Sequence, residues 1–179
     1  IDLNTEGFTR ALERSTELMN SRQITFEAGF SAGGALAFAD VMIPAKKNGD
    51  TGWNMVEVKS STRVKAYHHD DVAVQAFVAQ SAGVSLESIA VAYIDSSWVY
   101  PGDEDYRGLL KECDLTKEAL ARTEEVKGWI ALAQTVVTDT SEPVIETGEH
   151  CNSPFECGFY DYCSRNNPKP KYPLNWLPR

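Results

Sequence analysis

The sequence predicts an α/β domain with a mixed central β-sheet flanked by helices, and three observations carry that prediction. Alternating apolar runs at residues 24–30, 36–44 and 53–60 follow one another closely. A largely apolar helical stretch at 72–82 comes next, and a further apolar run, I-A-V-A-Y-I, ends at Ile94. Closely spaced strands read as an antiparallel meander, whereas a helix between two strands reads as a crossover to a parallel neighbour.

Each element has a local reason. Residues 5–20 carry helical spacing, and the strand at 24–30 follows. Between the strands at 36–44 and 53–60 the segment P-A-K-K-N-G-D-T-G is rich in turn formers, so the two strands are expected to form a hairpin. Asp70 or Asp71 is the expected N-cap of the helix at 72–82, Gly83 its stop, and His68 and His69 ordinary residues before the cap. A strand at 88–94 is expected to continue through 98–100 to the acidic turn P-G-D-E-D. Thr116 is the expected cap of a long helix reaching about residue 137, with Leu120, Trp129, Ile130, Ala133 and Val137 on its apolar side.

The chemistry concentrates at W-N-M-V-E-V-K-S-S, preceded by Asp40 in L-A-F-A-D-V-M-I. Strand residues alternate faces, so Glu57 and Lys59 share one side while Val56 and Val58 are expected in apolar packing. Asp40 is expected on the face of Phe38, with Ala39, Val41 and Ile43 on the other, and the hairpin would bring it beside Glu57. Two carboxylates, a backbone carbonyl and several waters suit Mg²⁺ or Mn²⁺, hard cations that keep part of their hydration shell and accept phosphate oxygens. Such an ion activates water and polarises a phosphate, while a lysine orients the attacking water or neutralises developing charge. A metal-dependent phosphodiesterase is therefore the leading reading.

The order Glu27 in I-T-F-E-A, Asp40 in A-D-V, Glu57-Val58-Lys59 and Gln75 in the following helix resembles the PD-(D/E)XK nucleases, specifically their RecB-like branch. It is especially similar to the CRISPR-associated RecB-like exonucleases and to a bacterial family carrying V-E-V-K-S-S-T followed by Y-H-x-D-D-V-A-x-Q. The resemblance spans from about residue 24 to Cys163 and implies a restriction-endonuclease-like core over residues 1–145. It implies that Asp40, Glu57 and the carbonyl of Val58 hold the metal, that Glu27 assists them, that Lys59 is the catalytic lysine, and that Gln75 arranges the catalytic site or DNA. The implied activity is metal-dependent DNA hydrolysis, expected as an exonuclease in repair, recombination or phage defence, with a helicase or other fused or associated domain among the expected partners.

The segment S-S-T-R-V-K-A-Y-H-H-D-D offers Arg63 and Lys65 to phosphates and Tyr67 to a splayed base. Lys46 and Lys47 would extend that basic patch. The formal net charge of −9 opposes it, so DNA affinity is expected to depend on local basic patches and on the bound cation.

A second constellation is H-C-N-S-P-F-E-C-G-F-Y-D-Y-C, where Cys151, Cys157 and Cys163 lie at equal gaps among Pro154, Gly158 and aromatics. It reads as a loop wrapping a metal or cluster, over residues 146–179 with the C-terminal linker, packed on the same domain. RecB-like nucleases with such a triplet resemble this arrangement, which implies a four-iron, four-sulfur cluster with a fourth cysteine far upstream. No cysteine precedes Cys113. The opening residue is not Met, so a fragment lacking that ligand is one reading; Cys113 as the fourth ligand, or zinc with His150, are the others.

The chain has 179 residues, 42% hydrophobic and 24% charged, as for one globular domain with a substantial core. No apolar run approaches the ~20 residues of a membrane span. With no membrane partner and no detectable leader, the cytoplasm is the expected compartment.

Overall fold

The computed structural model describes residues 1–45, 52–167 and 171. Its elements are α1 (Leu3–Asn20), β1 (Thr25–Ala32), β2 (Ala35–Pro44), β3 (Trp53–Lys59), α2 (Ala66–Ser81), β4 (Leu86–Ile94), β5 (Leu110–Asp114), α3 (Thr116–Ala121) and α4 (Thr123–Thr138). A 3₁₀ turn at Glu149–Cys151 and α5 (Tyr160–Ser164) follow. The chain divides into two compact units, Ile1–Val137 and Thr138–Arg179. Among the described residues no helix is long and apolar enough to cross a membrane.

The first unit is an α/β arrangement around a mixed sheet of order β1-β2-β3-β4-β5. The expected meander and crossover are both present: β1, β2 and β3 pair antiparallel, and α2 links β3 to a parallel β4. The turn between β2 and β3, with Lys46 and Lys47, lies outside the described residues. At its two ends the Arg22 guanidinium donates to Ala45 O at 3.2 Å and Gly52 O at 3.1 Å, and it also covers the Trp53 ring.

The core lies where α2 crosses β1, β2 and β4. Small residues on α2, Ala73, Ala76 and Ala79, let the helix approach the sheet, while Met42 and Met55 fill the paired strands beneath it. Each of those methionines is fully buried, worth about 1.5–3 kcal/mol of apolar transfer. Helix α1 covers the β1 edge. Ser15 Oγ accepts the Gly29 N–H at 2.8 Å, so one donor of that edge is satisfied without another strand. A Cβ at Gly29 would lie 2.5 Å from the Phe38 ring, so a larger residue there would require that ring to shift.

Several sequence expectations need correction. The helix α2 begins at Ala66 because the His68 side chain reaches back to cap it, Nδ1 accepting from Lys65 N at 3.1 Å; Asp70 and Asp71 lie inside the helix, and so do His68 and His69. Gly83, at φ +89°, does stand just past the helix end. Residues 98–100 form no strand. Trp98, Tyr100 and Tyr106 instead cluster in the long β4–β5 connection, and the fifth strand is the polar edge segment L-K-E-C-D. Its charged residues hide the apolar alternation on which strand recognition depends.

The helix expected over 116–137 is divided at Arg122, which lies between α3 and α4 and bonds Asp70 at 2.7 Å and Glu125 at 2.7 Å. Helical periodicity carries no trace of such a tertiary clamp. Val58, expected in apolar packing, is 39% exposed, whereas Val56 is buried. The alternation on β2 also shifts phase, since Ala37, Ala39 and Met42 are the buried positions. The cause lies on β1. Pairs Phe26–Val41 and Ala28–Ala39 leave Glu27 opposite Asp40 without a ladder pair, and Glu27 takes a left-handed φ of +55°. Both strands change the face they bury at that rung: Thr25 and Met42 are buried before it, Ala28 and Ala39 after it.

Candidate functional site

The phase change places Asp40 where β2 and β3 part. Their last ladder pair nearby is Val41–Val56, so the next position sets Asp40 opposite Glu57. The Asp40 side chain takes over from the ladder there: Oδ2 accepts the Val58 N–H at 2.7 Å. This contact involves the amide of Val58, while the sequence pointed to its carbonyl.

Glu57 and Lys59 do project from the same side of β3, toward α2. Lys59 Nζ donates to Glu57 Oε1 at 2.6 Å and to Asp71 Oδ2 at 2.5 Å. Gln75 Nε2 donates to Glu57 Oε2 at 2.9 Å and to Asp71 Oδ1 at 3.2 Å. Four residues from β3 and α2 thus form one bonded cluster, with Asp40 beside it on β2. Asp71 is the member that sequence reasoning missed, having read it only as a cap. The available signal was its four-residue spacing from Gln75, which puts both side chains on one helical face.

Burial shapes the electrostatics. Glu57 is 5% exposed, and desolvation pushes its carboxyl pKa up; bonds from Lys59 and Gln75 work against that rise, while the charges of Asp40 and Asp71 add to it. Burial works to lower the Lys59 pKa, but the bonds to Asp71 and Glu57 outweigh it and hold the ammonium above the usual lysine range. Lys59 is therefore a fixed positive charge at any physiological pH. Two carboxylates, Glu57 and Asp71, share that one ammonium and Asp40 lies near Glu57, an excess of negative charge that a divalent cation would offset.

Gln75 is 6% exposed, and its Oε1 is buried with no hydrogen-bond partner. The two acceptors facing Nε2 set the orientation of the amide, so Oε1 points away from them. A buried acceptor of this kind costs free energy until a donor, such as an ordered water, reaches it.

Glu27 is exposed, opposite Asp40 in register but outside the bonded cluster. Arg63 and Lys65 are exposed on the segment that follows Lys59, and Ile94 N donates to Ser61 O at 2.9 Å, tying that segment to the end of β4. Lys65 Nζ lies 5.5 Å from the centre of the Tyr67 ring, which itself meets His68 edge-on. His68 is 2% exposed and its pKa is lowered, first by burial and then by the charges of Lys59 and Lys65. It acts as a neutral helix cap.

Mg²⁺ takes one or two carboxylates and completes its shell with water and phosphate oxygens, so Asp40 and Glu57 fit it by donor type and number. Among the described residues, no group of three or more His, Cys, Asp or Glu side chains is placed to hold a metal ion.

That statement covers the cysteines too. In the second unit Cys151 is buried in the 3₁₀ turn, Cys157 is half-buried and donates its N–H to Cys151 O at 2.8 Å, and Cys163 is exposed on α5. All three are free thiols, but they do not converge. Cys113 lies on β5 opposite Val91, packed against the core of the first unit.

A cavity of about 680 Å³ lies elsewhere, between Leu12 and Met19 of α1, Phe30 of β1 and the turn after α2. It contains none of the polar cluster.

Comparison with protein families returns no match, and comparison with curated proteins returns none. Among solved structures the chain is similar to that of SSO0001, at 13% identity and a TM-score of 0.35, over 75% of this chain. The alignment spans 60% of that protein's length.

Proposed function

We propose that the protein is a metal-dependent nuclease that hydrolyses DNA phosphodiester bonds, with a restriction-endonuclease-like core. The observation that carries this reading is the buried Glu57 carboxylate bonded to the Lys59 ammonium of its own strand, with Asp40 opposite it on the adjacent strand and bonded to the Val58 amide. Asp40 and Glu57 would hold Mg²⁺ or Mn²⁺, with the backbone carbonyl of Val58 as a further ligand and Glu27 assisting from the neighbouring strand. When bound, the ion would polarise the phosphate and lower the pKa of attacking water.

The protein's own residues have separate roles. Lys59 Nζ carries three donors, of which two are bonded to Glu57 and Asp71, and the third has no protein partner among the described residues. That donor would take a phosphate oxygen and stabilise negative charge as it develops. Gln75 favours the ionised form of Glu57 and orients it through the bond to Oε2. Exposed Arg63 and Lys65 would hold the strand by its phosphates, and Tyr67 would offer its ring to a base. Exonuclease action in repair, recombination or phage defence is the form of the activity that the sequence resemblance favours.

Linear single- and double-stranded DNA incubated with Mg²⁺ or Mn²⁺ tests this reading. Lys59→Ala and Asp40→Ala should each slow hydrolysis by about 10²-fold or more, the scale of losing one preorganised charge or donor. Equal rates for the wild type and both variants would sink the catalytic assignment.

A noncatalytic nucleic-acid- or partner-binding module of the same fold is the second reading. Both oxygens of Glu57 are already engaged by side chains, and the formal net charge of −9 repels phosphate. On this reading the cluster is a structural ion network. Binding of DNA without hydrolysis in either metal would favour it.

For the second unit we infer that Cys151, Cys157 and Cys163 are ligands, since three thiols on one short segment suit iron–sulfur or zinc by donor chemistry. Brown colour with broad visible absorption after anaerobic purification would favour iron–sulfur; stoichiometric zinc without colour would favour zinc.

A further inference from the structure

Lys59 is flexible by nature, a four-carbon stem ending in a compact charge. One carboxylate two residues away on the same strand would leave that charge free to swing about Glu57. A second carboxylate on another element fixes it. Asp71 Oδ2 provides this at 2.5 Å, and its Oδ1 accepts from Gln75 Nε2 at 3.2 Å, so the carboxylate is itself oriented.

The start of α2 is tied down around Asp71. His68 caps the helix through Lys65 N, His69 Nδ1 meets Glu118 Oε1 at 2.7 Å, and Asp70 Oδ1 accepts from Arg122 at 2.7 Å. Three consecutive residues before Asp71 are thus each committed to a partner, two of them on α3 or the junction that follows it. A carboxylate serving only as a surface charge would need no such anchorage.

We propose that Asp71 is the positioning residue that fixes the Lys59 ammonium beside the Asp40–Glu57 pair. The role of that ammonium in hydrolysis rests on the nuclease reading above; its being held by Asp71 does not. With both carboxylates in place, two donors of Nζ are spent and the direction of the remaining one is fixed. Without Asp71, Lys59 keeps its charge and its bond to Glu57 but loses that direction. Asp71 acts through Lys59 and touches no reacting atom.

Two measurements on the full chain test this. The first is the Lys59 ammonium ¹⁵N resonance, assigned by its absence in Lys59→Met. It should be sharp and slow to exchange protons in the wild type and in Asp40→Asn, but lost to exchange in Asp71→Asn with cooperative urea unfolding retained. A resonance unchanged in Asp71→Asn, or equally lost in Asp40→Asn, overturns the proposal.

The second is a kinetic cycle on linear DNA with Mg²⁺. Asp71→Asn should lower kcat about tenfold or more while KM stays within about twofold, and Asp71→Asn should cost nothing further in a Lys59→Met background. Losses that multiply in the double variant would show that Asp71 acts independently of Lys59. If the wild type cleaves no DNA, the nuclease reading fails, and the resonance still decides whether Asp71 holds Lys59.

Discussion

In the polar cluster of the first unit, four side chains between residues 57 and 75 are bonded to one another across β3 and α2, with Asp40 bonded to the β3 backbone. In the second unit, three cysteines close in the chain are dispersed between a buried, a half-buried and an exposed position. Nearness in the chain alone thus does not bring side chains together. Carboxylates, an ammonium and an amide bond one another directly once the elements that carry them are docked. Thiols have no comparable mutual attraction, and sulfur ligands are ordinarily gathered by the ion they bind.

The comparison breaks most sharply at Lys59. Beyond its effect on hydrolysis, Lys59→Met leaves the buried Glu57 carboxylate without its ammonium, and unfolding in urea at neutral pH should show a loss of about 2–4 kcal/mol. The sign with pH is defined. Glu57 has a raised folded-state pKa, so its ionised form opposes folding at neutral pH and the penalty shrinks as pH falls through that folded-state value. Lys59, also raised, contributes its full share of stability below the ordinary lysine value of 10.5 and loses it only as pH climbs through the higher folded value. A Lys59→Met penalty that grows on acidification would contradict the internal organisation of the cluster.

A smaller effect is expected at Gln75. Gln75→Leu removes two donated bonds but also removes the orphaned Oε1, so these changes offset and the loss should be about 1 kcal/mol by urea midpoint. A loss above about 3 kcal/mol would mean that Oε1 has an ordered partner in solution.

The smallest effect belongs to the cysteines. Cys163→Ser in metal-free protein should change stability by no more than about 0.5 kcal/mol, because Cys163 is exposed. In protein purified anaerobically, the same substitution should reduce bound iron or zinc. Equal metal content in wild type and variant would remove Cys163 from the ligand set.

Much of the site was legible in the sequence. Alternation on β3 put Glu57 and Lys59 on one face, and a meander with a crossover placed Asp40 on the adjacent strand and Gln75 on the helix above. Asp71 was not legible as a member, because a carboxylate at the start of a helix reads first as a cap. Nor was the true cap, since Lys65 and His68 have the spacing of a capping box but not its usual Ser/Thr and Glu/Gln residues. The division at Arg122 was invisible because helical periodicity runs through it, and its ion pair to Asp70 joins distant parts of the chain.

By itself the sequence determined the α/β class, the order of the first four strands and the residue types available for chemistry. Period-two and helical spacing are local properties, set by backbone geometry and side-chain burial. Tertiary structure alone decided which face each strand buries around Asp40, because the left-handed residue Glu27 shifts the phase of a paired strand as well as its own. It also decided that Lys59 is gripped from two sides, since the second carboxylate comes from a helix whose start is anchored by contacts with α3 and Arg122. Ion pairs between elements depend on where those elements dock, and docking follows from burial summed over the whole core.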